Sequence, residues 1–555
     1  MQKRSLWTDL GTLAAFCAFF FVFGAGAIGL AGADEPRYAQ IAREMLARGE
    51  WIVPILNGQP WLEKPILYYW EAMLAYRLFG VSELAARLPS AISAAVMVFG
   101  VYLFVRGEAV WRSEGELQRS DSPSGMDAAL MTASTVAVIG FAHGAGTDML
   151  LAANFTLGML AWMAWRRHEK RTWLAAFYFF MALGMLAKGP VAPGLAAIII
   201  VIFAVLRRER RLVWRTLWLP GIALFCAVAL PWYSAVQART GTFFRVFFLE
   251  HNLERFGTDL YRHSQPFWYY VPVLLLCLAP WTVFAVAAMV DAVKRRRAGA
   301  PAAPQAEAAR DPELLLFVWA LVPVVFFSLS KSKLPGYILP AVPGWTMFMA
   351  LRVERWGRES GRGRTGVLAL HAALCAALVV LAIAAPYAAV TRGHVVVRPP
   401  MLALMVVAAI IVWSGVFFTL RAQGLRMLRF ATLAAVVVAL AVVVRWAGPA
   451  IDATQSARPV ARELTNIDQG AKSIAVLHVR RQVEYGLNFY RNAKIASYDR
   501  AEIPPGEHLL VAREGSQPEL DILLAGRRVS HVGEYLPQGL EFYWIGPPGS
   551  AAHQH

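Results

Sequence analysis

Apolar runs of about 20 residues recur from near the N-terminus to about Trp446, each closed by a short polar stretch. They are too long and too uniform for barrel strands. Lipid offers no partner to an open backbone group, so such runs predict membrane-spanning helices. The first run, Leu10 to Leu30, follows Lys3 and Arg4 and is longer than a signal-peptide core, so a retained span with a cytoplasmic N-terminus is expected. Further spans are expected near Leu88 to Val105 and Ala128 to Gly144, and a tight pair around Lys188-Gly189-Pro190. The basic clusters at Arg166 to Arg171, Arg207 to Arg211, Lys294 to Arg297 and Arg352 to Arg364 then all fall on the inner side, which supports about 13 spans.

After about Pro449 the pattern changes. Short apolar runs at Ile474 to Leu477, Ile495 to Tyr498, Leu509 to Ala512 and Phe542 to Ile545 predict strands. Gln482 to Tyr490 and Leu520 to Ala525 predict helices. The fold class is therefore a polytopic α-helical membrane protein with a C-terminal soluble α/β domain. Boundaries are expected at 1–448 and 449–555, with outer loops at 31–87 and 237–266. An odd number of spans leaves the tail outside.

The stretch from Asp34 to Tyr69 is the most polar in the N-terminal half. Tyr38, Ile41, Ala42, Met45 and Leu46 recur at helical spacing, and two short helices on the membrane surface are expected. In this topology Asp34 to Lys64, Asp148, Gln237 to Gln265 and Lys331 to Tyr337 all lie on the outer face, where distant loops can build one site.

Composition changes this picture little. At 57% hydrophobic and 16% charged, the 555-residue chain is too apolar for one soluble core. Its net charge of +17 sits mostly in short loops, where it sets orientation and meets anionic membrane lipids rather than nucleic acid. All four cysteines fall in apolar runs and form neither a disulfide frame nor a metal-site spacing.

The outer face pairs carboxylates with cations: Arg245, Arg255, Arg262, Lys331 and Lys333, with His251 and His263 beside them. That mixture suits a substrate both phosphorylated and lipid-linked. Cations stabilise charge on a departing phosphate, a carboxylate orients or deprotonates an attacking oxygen, and apolar helices hold a polyprenyl chain. The aromatics of PFWYYVP at 266–272 fit an interfacial belt or a sugar-stacking surface.

Four strings carry a specific resemblance: DEPRYAQIAREMLARGEWIVP from Asp34 with EKPI at Glu63, EHNLERF at Glu250, PFWYYVP at Pro266 and KSKLPGYIL at Lys331. In order and position they resemble the aminoarabinose lipid A transferases (ArnT), GT-C membrane glycosyltransferases akin to the protein mannosyltransferases. The resemblance implies transfer of 4-amino-4-deoxy-L-arabinose from undecaprenyl phosphate to lipid A phosphates at the periplasmic face of the bacterial inner membrane. Resistance to polymyxin and cationic peptides would follow.

By the same resemblance Asp34 and Asp148 are the acidic catalytic positions, although GTDMLL around Asp148 departs from the family pattern. Lys64, Arg255, Arg262 and Tyr337 would bind the donor phosphate, and Arg37, Tyr38, Lys331 and Lys333 would shape the pocket. Each has a plainer reading. Asp34 is placed to cap a helix starting at Pro36, the basic side chains could snorkel, and Tyr337 could be an interfacial anchor. Glu63 and His251 could hold a divalent ion such as Zn in a non-catalytic role, no cofactor being required. Two other functions fit the residues: transfer of a hexose such as mannose from a polyprenyl phosphate to protein or glycan, and transport of a lipid-linked sugar. Transport would call for internal repeats and midplane polar groups, which the chain does not show.

Overall fold

Arg87, buried within the helix Glu83–Gly107, fixes how the polar segment from Asp34 sits on the bundle. The computed structural model describes residues 6–107, 124–247, 265–297, 304–358, 364–390, 399–467 and 473–549. Among these, six helices are long and apolar enough to cross a membrane: Glu83–Gly107, Leu219–Thr240, Pro312–Leu329, Thr365–Pro386, Pro399–Gln423 and Leu428–Gln455. Two bent pairs, Gly125–Ala133 with Val136–Ala142 and Phe267–Cys277 with Thr282–Lys294, also have the composition of spans. The other expected spans are helical but shorter or less apolar: Leu6–Phe21, Asp148–His168, Arg171–Lys188, Val191–Leu206 and Val342–Arg358. Leu402, Ile410, Ile411 and Phe418 on Pro399–Gln423 are exposed, a surface that lipid would cover.

The first apolar run departs from expectation. Its helix stops at Phe21 instead of continuing to Leu30. Gly24 takes a left-handed φ of +80°, and Val444 lies so close that a Cβ there would clash at 2.5 Å. The chain that follows is held by its carbonyls. Arg87 donates to Ala25, Ile28 and Gly29, and Arg458 donates to Gly26 and Ala27.

The polar stretch folds as the helix Asp34–Arg48, a short hairpin pairing Ile55–Leu56 with Gln59–Pro60, and the helix Leu67–Phe79. Gly49, at φ +64°, ends the first helix, and the amides of Gly49 and Glu50 close on the carbonyls of Leu46 and Met45. Tyr38, Ile41, Ala42 and Met45 are buried as their spacing predicts. So are Arg37 and Gln40 on another face, because the C-terminal domain covers this helix. Its place is therefore within the protein rather than on an open membrane surface.

The tail forms a five-stranded sheet in the order 496–497, 474–477, 508–513, 540–548, 527–535. The first three strands are parallel and the last two pair antiparallel. Helices Arg458–Ile467, Arg481–Arg491 and Gln517–Leu523 complete the α/β unit, the first of them not expected. The strand Arg527–Tyr535 was not expected. Its RRVSHVGEY sequence is polar, suiting an edge that leaves one face to water.

His508 is fully buried in this sheet. One ring nitrogen meets the Gly506 carbonyl at 2.8 Å and the other accepts from the Tyr498 hydroxyl at 2.5 Å. Burial lowers its pKa, only partly opposed by the Gly506 carbonyl, so the folded ring stays neutral where the unfolded one takes a proton. Stability from this group is therefore full above about pH 6.5 and is lost as pH falls below it. Thermal unfolding in detergent should drop by several degrees between pH 7 and 5, and His508→Gln should flatten that slope; an unchanged slope would exclude His508 as its source.

Candidate active site

Two acid–base clusters stand at one end of the helical bundle. The first is carried by Asp34–Arg48. An N-terminus rich in acid complements the helix dipole, and Asp34 and Glu35 occupy its first turn. Asp34 does not cap the helix: the N-cap is Ala33, and the Asp34 carboxylate accepts from Arg37 Nη2 at 2.5 Å. Its side chain is 62% exposed, open to a substrate. Glu63 Oε2 lies 4.0 Å from the same Arg37 nitrogen.

The Arg37 guanidinium is bracketed by three rings, Tyr38 at 5.2 Å, Trp61 at 4.9 Å and Tyr485 at 5.4 Å. Burial alone would lower its pKa. The carboxylates Asp34 and Glu63, with a side-chain hydrogen bond to Tyr38, more than reverse that, so it is raised and the charge is kept. The buried Tyr38 phenol is pushed up by burial and by Asp34, and stays neutral.

Glu35, beside Asp34 in sequence, turns inward. Its carboxylate accepts from Arg87 at 2.6 Å, from the amide of Ala31 at 2.8 Å and from that of Ala145 at 2.9 Å. Ala145 lies in the turn that leads into the helix Asp148–His168. One side chain thus ties the Asp34 segment to the Asp148 segment.

The second cluster centres on Asp148, whose carboxylate pairs with Lys188. Lys188 ends the helix Arg171–Lys188 and stands 4.8 Å over the Tyr337 ring. Gly336 packs against Asp148 and Phe141 so tightly that a Cβ there would lie 2.8 Å from each. Three expected constellations therefore come together as the sequence implies. Lys188 was seen there only as the turn of a tight helix pair. A lone cation between an apolar run and Gly-Pro, on the side expected to be outer, is the signal for it.

The remaining expected residues are placed unequally. Lys64 is half-buried in the segment between the hairpin and Leu67–Phe79. Lys331 is exposed, whereas Lys333 is buried and donates to the carbonyls of Gln265, at 3.0 Å, and Ser330. Its charge is already engaged. Phe267 and Trp268 are exposed and fit an interfacial belt, while Tyr270 is buried and donates to Leu334 O. Arg255, Arg262 and His251 lie outside the described residues. Among the described residues no three carboxylate, imidazole or thiol groups gather as a metal site, and Glu63 faces Arg37.

The C-terminal domain is fastened to this region. Asp452 accepts from the Gly29 amide at 2.8 Å, Tyr490 accepts from that of Leu30 at 2.8 Å, and Arg458 reaches Glu83. A polar cleft of about 410 Å³, lined by Gln40, Arg43, Glu44, Arg48, Asn57 and Lys494 among others, opens along the same seam.

A family model described as dolichyl-phosphate-mannose-protein mannosyltransferase matches residues 63–234. An undecaprenyl phosphate-alpha-4-amino-4-deoxy-L-arabinose arabinosyl transferase of Pseudomonas aeruginosa is 31% identical over 386 residues, 68% of this chain and 65% of that one. The corresponding enzyme of Yersinia enterocolitica is 32% identical over 344 residues, 61% of this chain and 58% of that one. The match thus spans less than two thirds of either relative's length. In three dimensions the chain is similar to ArnT from Cupriavidus metallidurans bound to undecaprenyl phosphate, with a TM-score of 0.74 and 21% identity over 97% of this chain and 98% of that one. The apo state of the same protein gives 0.73. The helical bundle with a C-terminal α/β domain seen in that protein is therefore the fold of this chain.

Proposed function

We infer that this chain, a relative of the arabinosyl transferases with the fold of ArnT, moves 4-amino-4-deoxy-L-arabinose from undecaprenyl phosphate to a phosphate of lipid A. The observation that carries this reading is the pair of acid–base clusters, Asp34–Arg37 and Asp148–Lys188, tied together by Glu35 at one end of an apolar bundle. On the expected topology that end is the periplasmic face of the inner membrane. The N-terminus is then cytoplasmic and residues 449–555 periplasmic.

The reaction is a displacement at the anomeric carbon. An oxygen of the acceptor phosphate forms the new bond as the bond to undecaprenyl phosphate breaks, and the electron pair leaves on that phosphate. The acceptor phosphate is already ionised, so no proton need be removed. Lys64, with Arg255 and Arg262, offsets the charge on the departing phosphate. Asp34, held by Arg37, positions the sugar ammonium or the acceptor. Asp148 and Tyr337 fix Lys188 at the other side. No step requires a metal. Adding a cationic sugar lowers the negative charge of lipid A and so weakens binding of polymyxin and cationic peptides.

A second reading is hexose transfer from a polyprenyl phosphate to a hydroxyl. It is favoured by the mannosyltransferase model and by the exposure of Asp34, which could then act as base. Purified protein offered polyprenyl-phosphate aminoarabinose and polyprenyl-phosphate mannose separately, with lipid A and a hydroxyl acceptor, separates the two by product mass. An aminopentose on lipid A is expected. A hexose product from the mannose donor alone would overturn the first reading.

A further inference from the structure

The C-terminal domain has no role in the chemistry above, yet one of its side chains reaches the Asp34 cluster. On the helix Arg481–Arg491 and the residue that caps it, Tyr485, Asn488, Phe489 and Asn492 share one face at helical spacing. That face lies on Asp34–Arg48 and is pinned there. Arg43 Nη1 donates to Phe489 O at 3.0 Å, Asn488 Nδ2 donates to Asn57 Oδ1 at 2.7 Å, and Gln40 Nε2 meets Asn492 Oδ1 at 3.4 Å. Phe489 is buried in the apolar cluster that also holds Tyr38, Tyr69 and Trp232. The helix is therefore fixed on the site.

Tyr485 presents its ring to the Arg37 guanidinium, whose carbon lies 5.4 Å from the ring centroid. Arg37 is 8% exposed, and its Nε is buried without a hydrogen-bond partner among the described residues. Its orientation toward Asp34 is set by the Nη2 contacts with Asp34 and Glu63, by a side-chain hydrogen bond with Tyr38 and by the three surrounding rings, two from the Asp34 segment and one from the C-terminal domain. A planar cation between aromatic faces keeps its plane, which a flexible contact would not enforce.

We propose that the C-terminal domain completes the active site through Tyr485, a positioning residue that holds Arg37 and, through it, the Asp34 carboxylate. The proposal rests on the reading of Asp34 as the site's acid. Removing the ring should loosen Asp34 while leaving the contacts to the donor phosphate and its lipid in place, and so lower kcat more than KM.

The test is transfer by the full chain in detergent, with donor concentration varied and the melting temperature recorded for each variant. Tyr485→Leu should lower kcat about tenfold with the donor KM within about twofold of native, while Tyr485→Phe, which keeps the ring, stays within about twofold in both. In an Arg37→Lys background Tyr485→Leu should add no further loss. If Tyr485→Leu fails to reach the membrane, Tyr485→Met carries the same comparison. Equal kcat for Tyr485→Leu and native overturns the proposal. So does a Phe variant as poor as Leu, or an undiminished loss in the Arg37→Lys background. A native chain that transfers no aminopentose would instead overturn the underlying reading, and this proposal with it.

Discussion

Asp34→Asn will lose transfer by about 100-fold or more, the scale of removing one preorganised charged group from an active site. The melting temperature and membrane yield should stay near native. The side chain is largely exposed, makes no side-chain cap for its helix and, among the described residues, pairs with Arg37 alone. The substitution strands no buried charge, because the buried Arg37 keeps Glu63 at 4.0 Å and its three surrounding rings. The carboxamide keeps the shape and removes the charge that faces Arg37 and the open site. A variant with native turnover would reduce Asp34 to a surface contact. A variant that fails to fold would mean that the Asp34–Arg37 pair supports the structure more than its exposure implies.

Arg87→Leu should be the most damaging change to stability. The side chain is 4% exposed and donates to three carbonyls and to the Glu35 carboxylate. Removing it leaves Glu35 nearly buried without its cation, and breaking such a pair by deleting one partner costs about 3–5 kcal/mol. The carbonyls of Ala25, Ile28 and Gly29 also lose the donor that fixes the non-helical end of the first apolar run. A large fall in melting temperature, with low membrane yield, is expected. Glu35→Gln in the same chain should recover part of it, since the stranded charge is then gone. A melting temperature unchanged by Arg87→Leu, or a double variant worse than the sum of the two, would refute this account of the brace.

Much of this architecture was legible from pattern alone. Long apolar runs can do little but form helices in lipid, and the tail's short runs marked four of its five described strands and two of its helices, Arg481–Arg491 and Gln517–Leu523, but not Arg458–Ile467. The fifth, Arg527–Tyr535, was hidden because an edge strand with one wet face carries no apolar signal. The break at Gly24 was hidden too, since glycine-rich sequence is as compatible with a membrane helix as with a turn whose left-handed glycine packs against Val444.

At the site, the polar strings at Asp34, Asp148 and Tyr337 announced themselves because charge beside a membrane is costly unless used. The partners were harder. Lys188 looked like a turn residue, and its pairing with Asp148 is a contact 40 residues away in sequence. Glu35 and Arg87 could not be told from other loop charges without knowing which way each points. Tyr485 was the least legible, lying 448 residues from Arg37, because no local pattern says which domain will cover a helix face.

The central claim is that this chain places an aminopentose on lipid A through the Asp34 site. Lipid A mass spectrometry in a polymyxin-sensitive strain lacking its own transferase tests it most directly, with native chain and Asp34→Asn compared at equal membrane expression. An aminopentose adduct with the native chain, absent with the variant, is the predicted result. No adduct from either chain would contradict the assignment of sugar and acceptor, and an adduct from both would contradict the role given to Asp34.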